Sequence, residues 1–201
     1  MMTLEITEKD DRVSFEQIHR LLYEAHSGNR QNGFHVNTAE MSPEALRDHI
    51  GEEGKCFVAL DDDKLAGVTA VRIIERNRWY SKGRIADQIL VGVLPPYKGM
   101  HISTALHGKA VEFARTAGVT KIELQTAYDN TKMQKACKKW GFEYVGFKAM
   151  KGLDHYTVTL CKWLSDERPS ALACRAHYHY QKYKTLLLYK PGKLPRLGHG
   201  R

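Results

Sequence analysis

The stretch from residue 89 to residue 118 constrains the fold of this chain more than any other part of the sequence. It begins with an apolar run, residues 89–94, whose alternating aliphatic side chains predict a buried strand. Pro95 and Pro96 end that strand, because proline has no N–H group to donate to a ladder of backbone hydrogen bonds. A short polar loop, residues 97–101, follows and leads into a different periodicity.

Beyond the loop, apolar residues recur every three or four positions, which predicts a helix with one buried face. Gly118 lies where a left-handed C-cap would end this helix. A strand, a tight loop and a helix start can make an anion site, because the first N–H groups of a helix lack partners and carry partial positive charge. The pattern therefore predicts either a diphosphate site or an ordinary strand–helix unit that binds nothing. The apolar positions are Ile102, Ala105, Leu106, Ala110, Phe113, Ala114 and Ala117.

The same stretch resembles the acyl-coenzyme-A-binding motif of the GCN5-related N-acetyltransferases, the GNAT family. The family pattern V-x-P-x-Y-[QR]-x-x-G-x-[GA] is present from Val93 to Ser103 as VLPPYKGMHIS. The V-x-P-x-Y part matches, and Lys98 replaces the usual Arg or Gln while keeping a donor. His101 and Ser103 stand where the family has Gly or Ala, which departs from the pattern because glycine lets the backbone approach a phosphate closely.

A second segment, residues 130–142, supports the resemblance. Family members carry N-x-x-A-x-x-L-Y-x-K-x-G-F there, and this chain matches four of those positions. Cys137 takes the place of the usual Tyr. Two motifs in the expected order and at the expected distance are far more specific than either motif alone, and the resemblance covers roughly residues 1–163. The matching residues are Asn130, Lys139, Gly141 and Phe142.

The resemblance implies an α/β (α+β) fold, with a mixed, mainly antiparallel central sheet flanked by helices on both faces. The acetyltransferase domain is predicted to span residues 1–164, followed by a C-terminal extension, residues 165–201. Periodicity alone predicts the element order β-α-α-β-β-β-α-β-α-β-β, which agrees with the family. It predicts helices over residues 15–25, 131–140 and 171–188, strands over residues 56–60, 65–74 and 121–127, and a polar turn over residues 75–82.

The activity implied by the resemblance is acetyl-coenzyme-A-dependent N-acetylation of a primary amine on a small molecule, with no metal ion. The loop would hold the diphosphate of coenzyme A, and the strand before it would meet the pantetheine and the acyl carbonyl. The alternative is a catalytically weak coenzyme-A-binding pseudoenzyme whose basic tail binds a partner. The residues expected to bind the cofactor are Val91, Gly92, Val93, Lys98, Gly99, Met100, His101, Ile102, Ser103 and Asn130.

Amine acetylation also needs a base that removes a proton from the ammonium group before attack. Asp87, before the central strand, and Glu123, on the next strand, are the carboxylate candidates, and His35 is a further candidate base. The alternative for each is a strand charge that faces solvent. Residues 27–41 lie where the family builds part of its acceptor site, and by position alone Arg30, Phe34 and His35 are candidates there.

Cys137 is a candidate general acid, because it replaces the Tyr that usually serves this role in the family. A thiol with an ordinary pKa near 8.5 could protonate the departing thiolate of coenzyme A. The alternative is a core residue, since Cys137 continues an apolar stripe along its helix. The cysteines are widely spaced and lack a C-x-x-C pair, which predicts reduced thiols. They are Cys56, Cys137, Cys161 and Cys174.

The C-terminal extension carries most of the positive charge. Residues 166–201 hold four Lys, four Arg and two acids, a net charge of +6 out of +8 for the chain. Tyr and His alternate with Lys between residues 177 and 189. This composition predicts a helix that packs on the domain or on a second subunit of a homodimer. Contact with acidic lipid or with polysaccharide machinery is a further alternative, and nucleic acid is a disfavoured one.

The N-terminal residues do not predict a targeting signal. Residues 1–12 are acidic and contain no apolar core of a signal peptide. No apolar run reaches 18 residues, so no membrane-spanning helix is predicted. A cytoplasmic protein is expected.

Overall fold

The computed structural model describes residues 4–31, 36–149 and 155–189. Seven strands form one sheet in the order β1-β2-β3-β4-β5-β7-β6. The elements are β1 (Leu4–Glu8), α1 (Phe15–Ala25), α2 (Ser27–Gln31), α3 (Asn37–Glu40), α4 (Pro43–Ile50), β2 (Lys55–Asp61), β3 (Lys64–Arg78), β4 (Ser81–Val93), a 3₁₀ turn (Pro95–Tyr97), α5 (Ile102–Thr116), β5 (Lys121–Ala127), α6 (Thr131–Lys139), β6 (Glu143–Ala149), β7 (Tyr156–Trp163) and α7 (Ala171–Leu188).

The sheet is antiparallel except where β4 runs parallel to β5. That parallel ladder is short: it joins Ala86, Asp87 and Gln88 to three residues of β5 and then stops. The mixed, mainly antiparallel sheet confirms the predicted fold class. The predicted strand–helix order is also confirmed, with two short helices added between α1 and α4.

Helices α1 and α4 pack on one face of the sheet. Ser14 and Gln17 form a reciprocal capping box that starts α1, and the Ser42 hydroxyl accepts a hydrogen bond from the Ala45 N–H at the start of α4. These caps satisfy N–H groups that the helix itself cannot pair. The apolar stripes of both helices then bury against β2, β3 and β4. The buried members include Ile18, Leu21, Leu22, Leu46 and Ile50.

Helix α5 covers the opposite face, and two glycines set how closely helices approach the centre of the sheet. A Cβ atom at Gly67 would lie 3.0 Å from the Ile102 side chain on α5. On the other face, a Cβ atom at Gly92 would lie 3.1 Å from both Leu21 and Leu22 on α1. Side chains larger than hydrogen at these positions would push the helices away from the place where β4 separates from β5.

The polar turn predicted over residues 75–82 is wrong, because most of these residues belong to strands. β3 continues to Arg78 and β4 begins at Ser81, so the two strands form a long hairpin. Two of the polar side chains that suggested a loop have partners: Arg76 lies 3.6 Å from Asp87, and Arg78 donates to the Tyr80 hydroxyl over 2.7 Å. At the tip, the Tyr80 side chain is buried.

Helix α7 has the predicted bounds and lies along β6, which is an edge strand of the sheet. The Phe147 N–H donates to Gln181 Oε1 over 3.0 Å, and Thr185 Oγ1 donates to the Phe147 carbonyl over 3.5 Å. These contacts satisfy backbone groups that an edge strand would otherwise expose. Cys174 and Tyr178 are buried beneath the helix. Within the described residues, the helices are all too short or too polar to span a bilayer.

Candidate active site

A cleft opens where β4 and β5 stop pairing. Beyond Gln88 the described part of β5 forms no ladder with β4, and Leu90 adopts a left-handed conformation with φ of 54°. The register between β3 and β4 shifts at the same place, which identifies a bulge. The resulting cleft has a volume of about 330 Å³. Its lining includes His26, His49, Arg72, Asp87, Val91 and Asn130.

A buried polar network holds β4 at this point of separation. Gln88 donates through Nε2 to Thr69 Oγ1 over 3.1 Å, and its Oε1 lies 2.9 Å from His107 Nδ1 on α5. Burial lowers the pKa of His107 to about 4, with a smaller contribution from the Lys162 cation. The ring is therefore neutral at pH 7, and Nδ1–H can donate to Gln88. The ring also stacks on Trp140 with 4.6 Å between centroids.

The predicted phosphate loop lies at the start of α5. Gly99 has φ of +90°, and His101 occupies the N-cap with φ of 59° and no side-chain cap. The Tyr97 hydroxyl donates to Asp61 Oδ2 over 3.0 Å, which ties the loop to the β2–β3 hairpin. Lys98, Gly99, Met100 and His101 are exposed, whereas Ile102 is buried and Ser103 is half-buried.

The donor groups of this loop fit a diphosphate. α5 is a helix of 15 residues, and its first N–H groups, at Ile102 and Ser103, belong to the turn that a helix cannot pair internally. The helix dipole adds partial positive charge there. Lys98 stands in the same loop and can add a charge-assisted hydrogen bond. His101 adopts the positive φ that glycine supplies in the family pattern, so this departure is compatible with the loop conformation.

The strand and helix that frame the cleft bring Val91 and Asn130 into its lining. The Asn130 Oδ1 accepts a hydrogen bond from the Met133 N–H over 3.2 Å and so caps α6. Its amide NH₂ group can still donate to a ligand. Gly92 and Val93 follow on β4 and are not among the residues that line the cleft. They pair with Val68 and Gly67 of β3.

Asp87 lines the cleft and is nearly buried, with 2% of its surface exposed. Arg72 donates to Asp87 Oδ2 through Nε over 3.0 Å and through Nη2 over 2.8 Å. Arg76 Nη2 lies 3.6 Å from the same oxygen. The two arginines hold the carboxylate in place from one side, and all three contacts use Oδ2.

Glu123, the other carboxylate candidate, is fully buried and does not line the cleft. Its Oε2 lies 3.7 Å from Arg76 Nε. Asp87 and Glu123 are register partners across the parallel ladder and share Arg76, so they belong to one network of charges. Access to the cleft is what distinguishes them.

Sequence reasoning missed the histidines that line the cleft, His26, His49 and His155. His26 ends α1, and burial lowers its pKa to about 4, while a hydrogen bond with the Val91 backbone acts in the opposite direction. His49 lies on α4, and its Nδ1 is 3.3 Å from Arg72 Nη1. Burial and the Arg72 cation lower the pKa of His49. No local pattern marks His26 or His49, because their partners come from distant strands.

The predicted acceptor residues between α1 and α4 are only partly described. Arg30 donates through Nη1 to the Tyr23 carbonyl over 2.5 Å and lies over the Tyr23 ring, outside the cleft lining. Phe34 and His35 lie outside the described residues. From this region, Val36, Asn37, Thr38 and Met41 line the cleft.

Cys137 is fully buried in the core cluster beneath α5 and does not line the cleft as described. Burial raises the pKa of its thiol to about 12. A group with such a pKa keeps its proton at neutral pH, and its placement favours the core alternative over the role of general acid. That role remains a prediction.

The thiols of the native protein are expected to resist alkylation. All four cysteines are buried and unbridged, and burial raises the pKa of each. Because the thiolate is the reactive species, iodoacetamide at pH 8 should label the denatured chain at least about 100-fold faster than the native chain. Mass spectrometry of tryptic peptides checks this expectation, and rapid labelling of Cys137 in the native protein would contradict it.

A sequence model of the acetyltransferase (GNAT) family matches residues 15–142. No curated protein matches the chain significantly. Among solved structures, the chain is similar to the ribosomal-protein-S18-alanine N-acetyltransferase from Escherichia coli, with 14% identity, a TM-score of 0.63, and coverage of 81% of this chain and 95% of that one.

Two further structures show the same fold. A GNAT-family acetyltransferase from Staphylococcus aureus MU50 has 13% identity and a TM-score of 0.63, with 81% of this chain and 100% of that one covered. A candidate phosphinothricin N-acetyltransferase has 17% identity and a TM-score of 0.60, with 82% and 100% covered. At these identities the likeness concerns the fold alone.

Proposed function

Because the chain belongs to the GNAT family of acetyltransferases, we propose that it transfers an acetyl group from acetyl-coenzyme A to the primary amine of a small molecule. One observation carries the proposal. β4 separates from β5 between the loop that begins α5 and a cleft with a carboxylate in its lining. A thioester lying along β4 beyond Gln88 would reach the side of the sheet where the Asp87 carboxylate lines the cleft.

The backbone of β4 supplies the group that polarises the acetyl carbonyl. Beyond Gln88, the backbone groups of β4 that face β5 have no ladder partner among the described residues. An N–H group in that position can donate to the acetyl carbonyl as it gains negative charge. One such preorganised donor contributes about 3 to 4 kcal/mol to transition-state stabilisation.

Asp87 is the proposed base. The contacts with Arg72 and Arg76 use Oδ2, so Oδ1 can accept a hydrogen bond from an amine bound in the cleft. The ammonium loses its proton to Asp87, directly or through one water, and the amine nitrogen attacks the acetyl carbon. The C–N bond forms and the C–S bond breaks. The acylated nitrogen releases its second proton to solvent, and the coenzyme A thiolate takes up a proton from solvent. Neither Cys137 nor another thiol is needed for this balance.

The size and lining of the cleft favour a small acceptor. A volume of about 330 Å³ lies at the lower end of the range for small-molecule sites. The imidazoles of His26 and His49 are neutral at pH 7, since burial lowers the pKa of both, and they add polar groups to the cleft lining. The structural neighbours include one enzyme named for a protein alanine and one named for phosphinothricin. They share only the fold with this chain, so the acceptor is argued from the cleft.

Replacing Ser103 by Glu is expected to block acetyl-coenzyme A binding. The substitution places a negative charge in the first turn of α5, against the diphosphate. Affinity measured by calorimetry should fall at least about tenfold, which corresponds to about 1.4 kcal/mol. Thr116→Glu is the matched control, because it adds the same charge at the exposed C-terminal end of the same helix. An affinity of Ser103→Glu within about threefold of wild type would contradict the placement of the diphosphate.

A thiol-release assay over a panel of amines tests the proposed activity itself. Wild-type protein should bind acetyl-coenzyme A in calorimetry and release free thiol only when an accepted amine is present. Amino sugars, amino acids and polyamines form the panel. Binding without thiol release for any amine would favour a pseudoenzyme that keeps the coenzyme site.

A further inference from the structure

Helix α7 has two opposite faces, and the fold uses only one of them. Cys174, Tyr178, Gln181 and Thr185 are spaced by four, three and four residues and face the domain. Three of them are buried, and Gln181 accepts the hydrogen bond from the backbone of β6. This face explains why the helix docks on the edge of the sheet.

The opposite face is apolar and exposed. Leu172, Ala176, Tyr180, Tyr183 and Leu187 are spaced by four, four, three and four residues, so they form one line along the helix; we name it the outer stripe. Its large side chains keep 75%, 62%, 69% and 83% of their surface exposed. A continuous apolar line of this length on a protein surface marks an interaction site.

The charged residues of α7 beside the outer stripe are all cations. Arg175 and Lys182 lie along one side, and Lys184 lies along the other. Arg175 and Lys184 are exposed, whereas the Lys182 ammonium donates to the Tyr128 hydroxyl over 2.7 Å. Helix α7 contains no Asp or Glu. The sequence that follows, residues 190–201, adds four cations and no acid.

We propose that the outer stripe docks on the surface of an anionic lipid bilayer, with the axis of α7 parallel to the membrane. An apolar stripe bordered by cations is the arrangement that lies in a bilayer interface: the apolar side chains enter the acyl boundary and the cations meet lipid phosphates. Leu and Tyr suit this position, since Tyr presents an apolar ring and a polar hydroxyl. From Leu172 to Leu187 the stripe is about 22 Å long at 1.5 Å per residue.

A second copy of the chain fits this face less well, because of charge. In an antiparallel pairing of two outer stripes, each flank meets the same flank of the partner, so Arg175 and Lys182 would face their own counterparts. In a parallel pairing, Lys182 would face Lys184 of the partner. Cations meet cations in both arrangements, and like charges at these positions oppose pairing.

Nucleic acid shares the negative charge of the membrane but not its apolar interior. Tyr180 and Tyr183 could stack on bases. Leu172 and Leu187, the two most exposed members of the stripe, have no favourable contact to make with phosphates or base edges. The aliphatic ends of the stripe therefore favour lipid.

Vesicle flotation of the full chain tests the proposal. Vesicles of phosphatidylcholine with phosphatidylglycerol should bind the protein at least about tenfold more tightly than vesicles of phosphatidylcholine alone. Binding should weaken as salt rises, since the phosphate contacts are exposed and screened. Lys184→Glu should reduce binding to the anionic vesicles, because it reverses one exposed charge beside the stripe.

Tyr183→Asp and Tyr23→Asp form the matched pair of variants. Both residues are exposed tyrosines in helices, with 69% and 54% of their surface exposed, but only Tyr183 lies in the outer stripe. Tyr183→Asp should lower vesicle affinity at least about tenfold, and Tyr23→Asp less than about twofold. Unchanged melting curves for both variants would show that the folded state is intact.

Three kinds of result would overturn the proposal. The first concerns the vesicles: either the wild type does not bind them, or Tyr183→Asp and Tyr23→Asp lose binding equally. The second is a dimer in light scattering that Tyr183→Asp dissociates, which would make the outer stripe an interface between copies. The third is that the wild type binds an oligonucleotide in a salt-dependent way but does not bind vesicles, and that Tyr183→Asp abolishes the oligonucleotide binding.

Discussion

Asp87→Asn is expected to lower kcat by about 10² to 10³-fold, within the range for loss of a general base. The amide has the size of the carboxylate but cannot take the proton from the acceptor ammonium. It also removes the carboxylate partner of Arg72 and leaves Arg76 with Glu123 alone, so we expect a stability loss on the order of 1 to 3 kcal/mol and a lower melting temperature. Turnover is measured by thiol release with saturating acetyl-coenzyme A, below the melting transition of the variant.

Glu123→Gln is the matched comparison for that variant. It removes a charge from the same arginine network, but the side chain is fully buried and does not line the cleft. We expect it to lower the melting temperature while kcat stays within about threefold of wild type, under 1 kcal/mol in the barrier. The reverse result, with Glu123→Gln inactive and Asp87→Asn active, would identify Glu123 as the base.

Truncation after Leu164 is expected to lower the melting temperature by at least about 10 °C or to make the protein insoluble. The change removes α7, uncovers Phe147 and Val145 on the edge strand, and breaks the hydrogen bonds between Phe147 and the helix. Loss of two or three buried side chains costs on the order of 5 kcal/mol, and each kcal/mol shifts the melting temperature of a domain of this size by about 2 to 4 °C.

A second truncation, after Tyr189, separates the helix from the residues beyond it. It keeps α7 and the bond from the Tyr156 hydroxyl to the Tyr189 carbonyl, 2.6 Å long. The melting temperature should change by less than about 3 °C, because the buried contacts of α7 are intact. If the variant that ends at Leu164 melted like wild type, the predicted domain, residues 1–164, would be independent of the extension.

Local patterns predicted the helices well. The predicted bounds of α1 and α7 agree with the structure, in which Ser14 and Ser170 cap the two helices. The loop before α5 was predicted because proline, glycine and the helix start are neighbours in the chain. Its cofactor role remains a prediction that Ser103→Glu tests.

Contacts between distant segments decided what the local pattern could not. Residues 75–82 have the composition of a loop, but most of them form the end of the β3–β4 hairpin. There Arg76 lies close to carboxylates on β4 and β5. Tyr80, at the tip, packs near His177 of α7, with 6.1 Å between ring centroids. The polarity that suggests solvent in a sequence is compatible with a strand once each charge has a partner.

By itself, the sequence determined the family, the order of the elements and the existence of a loop suited to a diphosphate, since each depends on neighbouring residues. The tertiary structure decided which polar residues share the cleft. Asp87 and Glu123 are both strand carboxylates in the sequence, and only strand pairing and helix packing expose one of them to the cleft and bury the other. His26 and His49 joined Asp87 because α1 packs on β4 and α4 packs on the neighbouring β3, contacts between segments about 20 to 60 positions apart that no local period records.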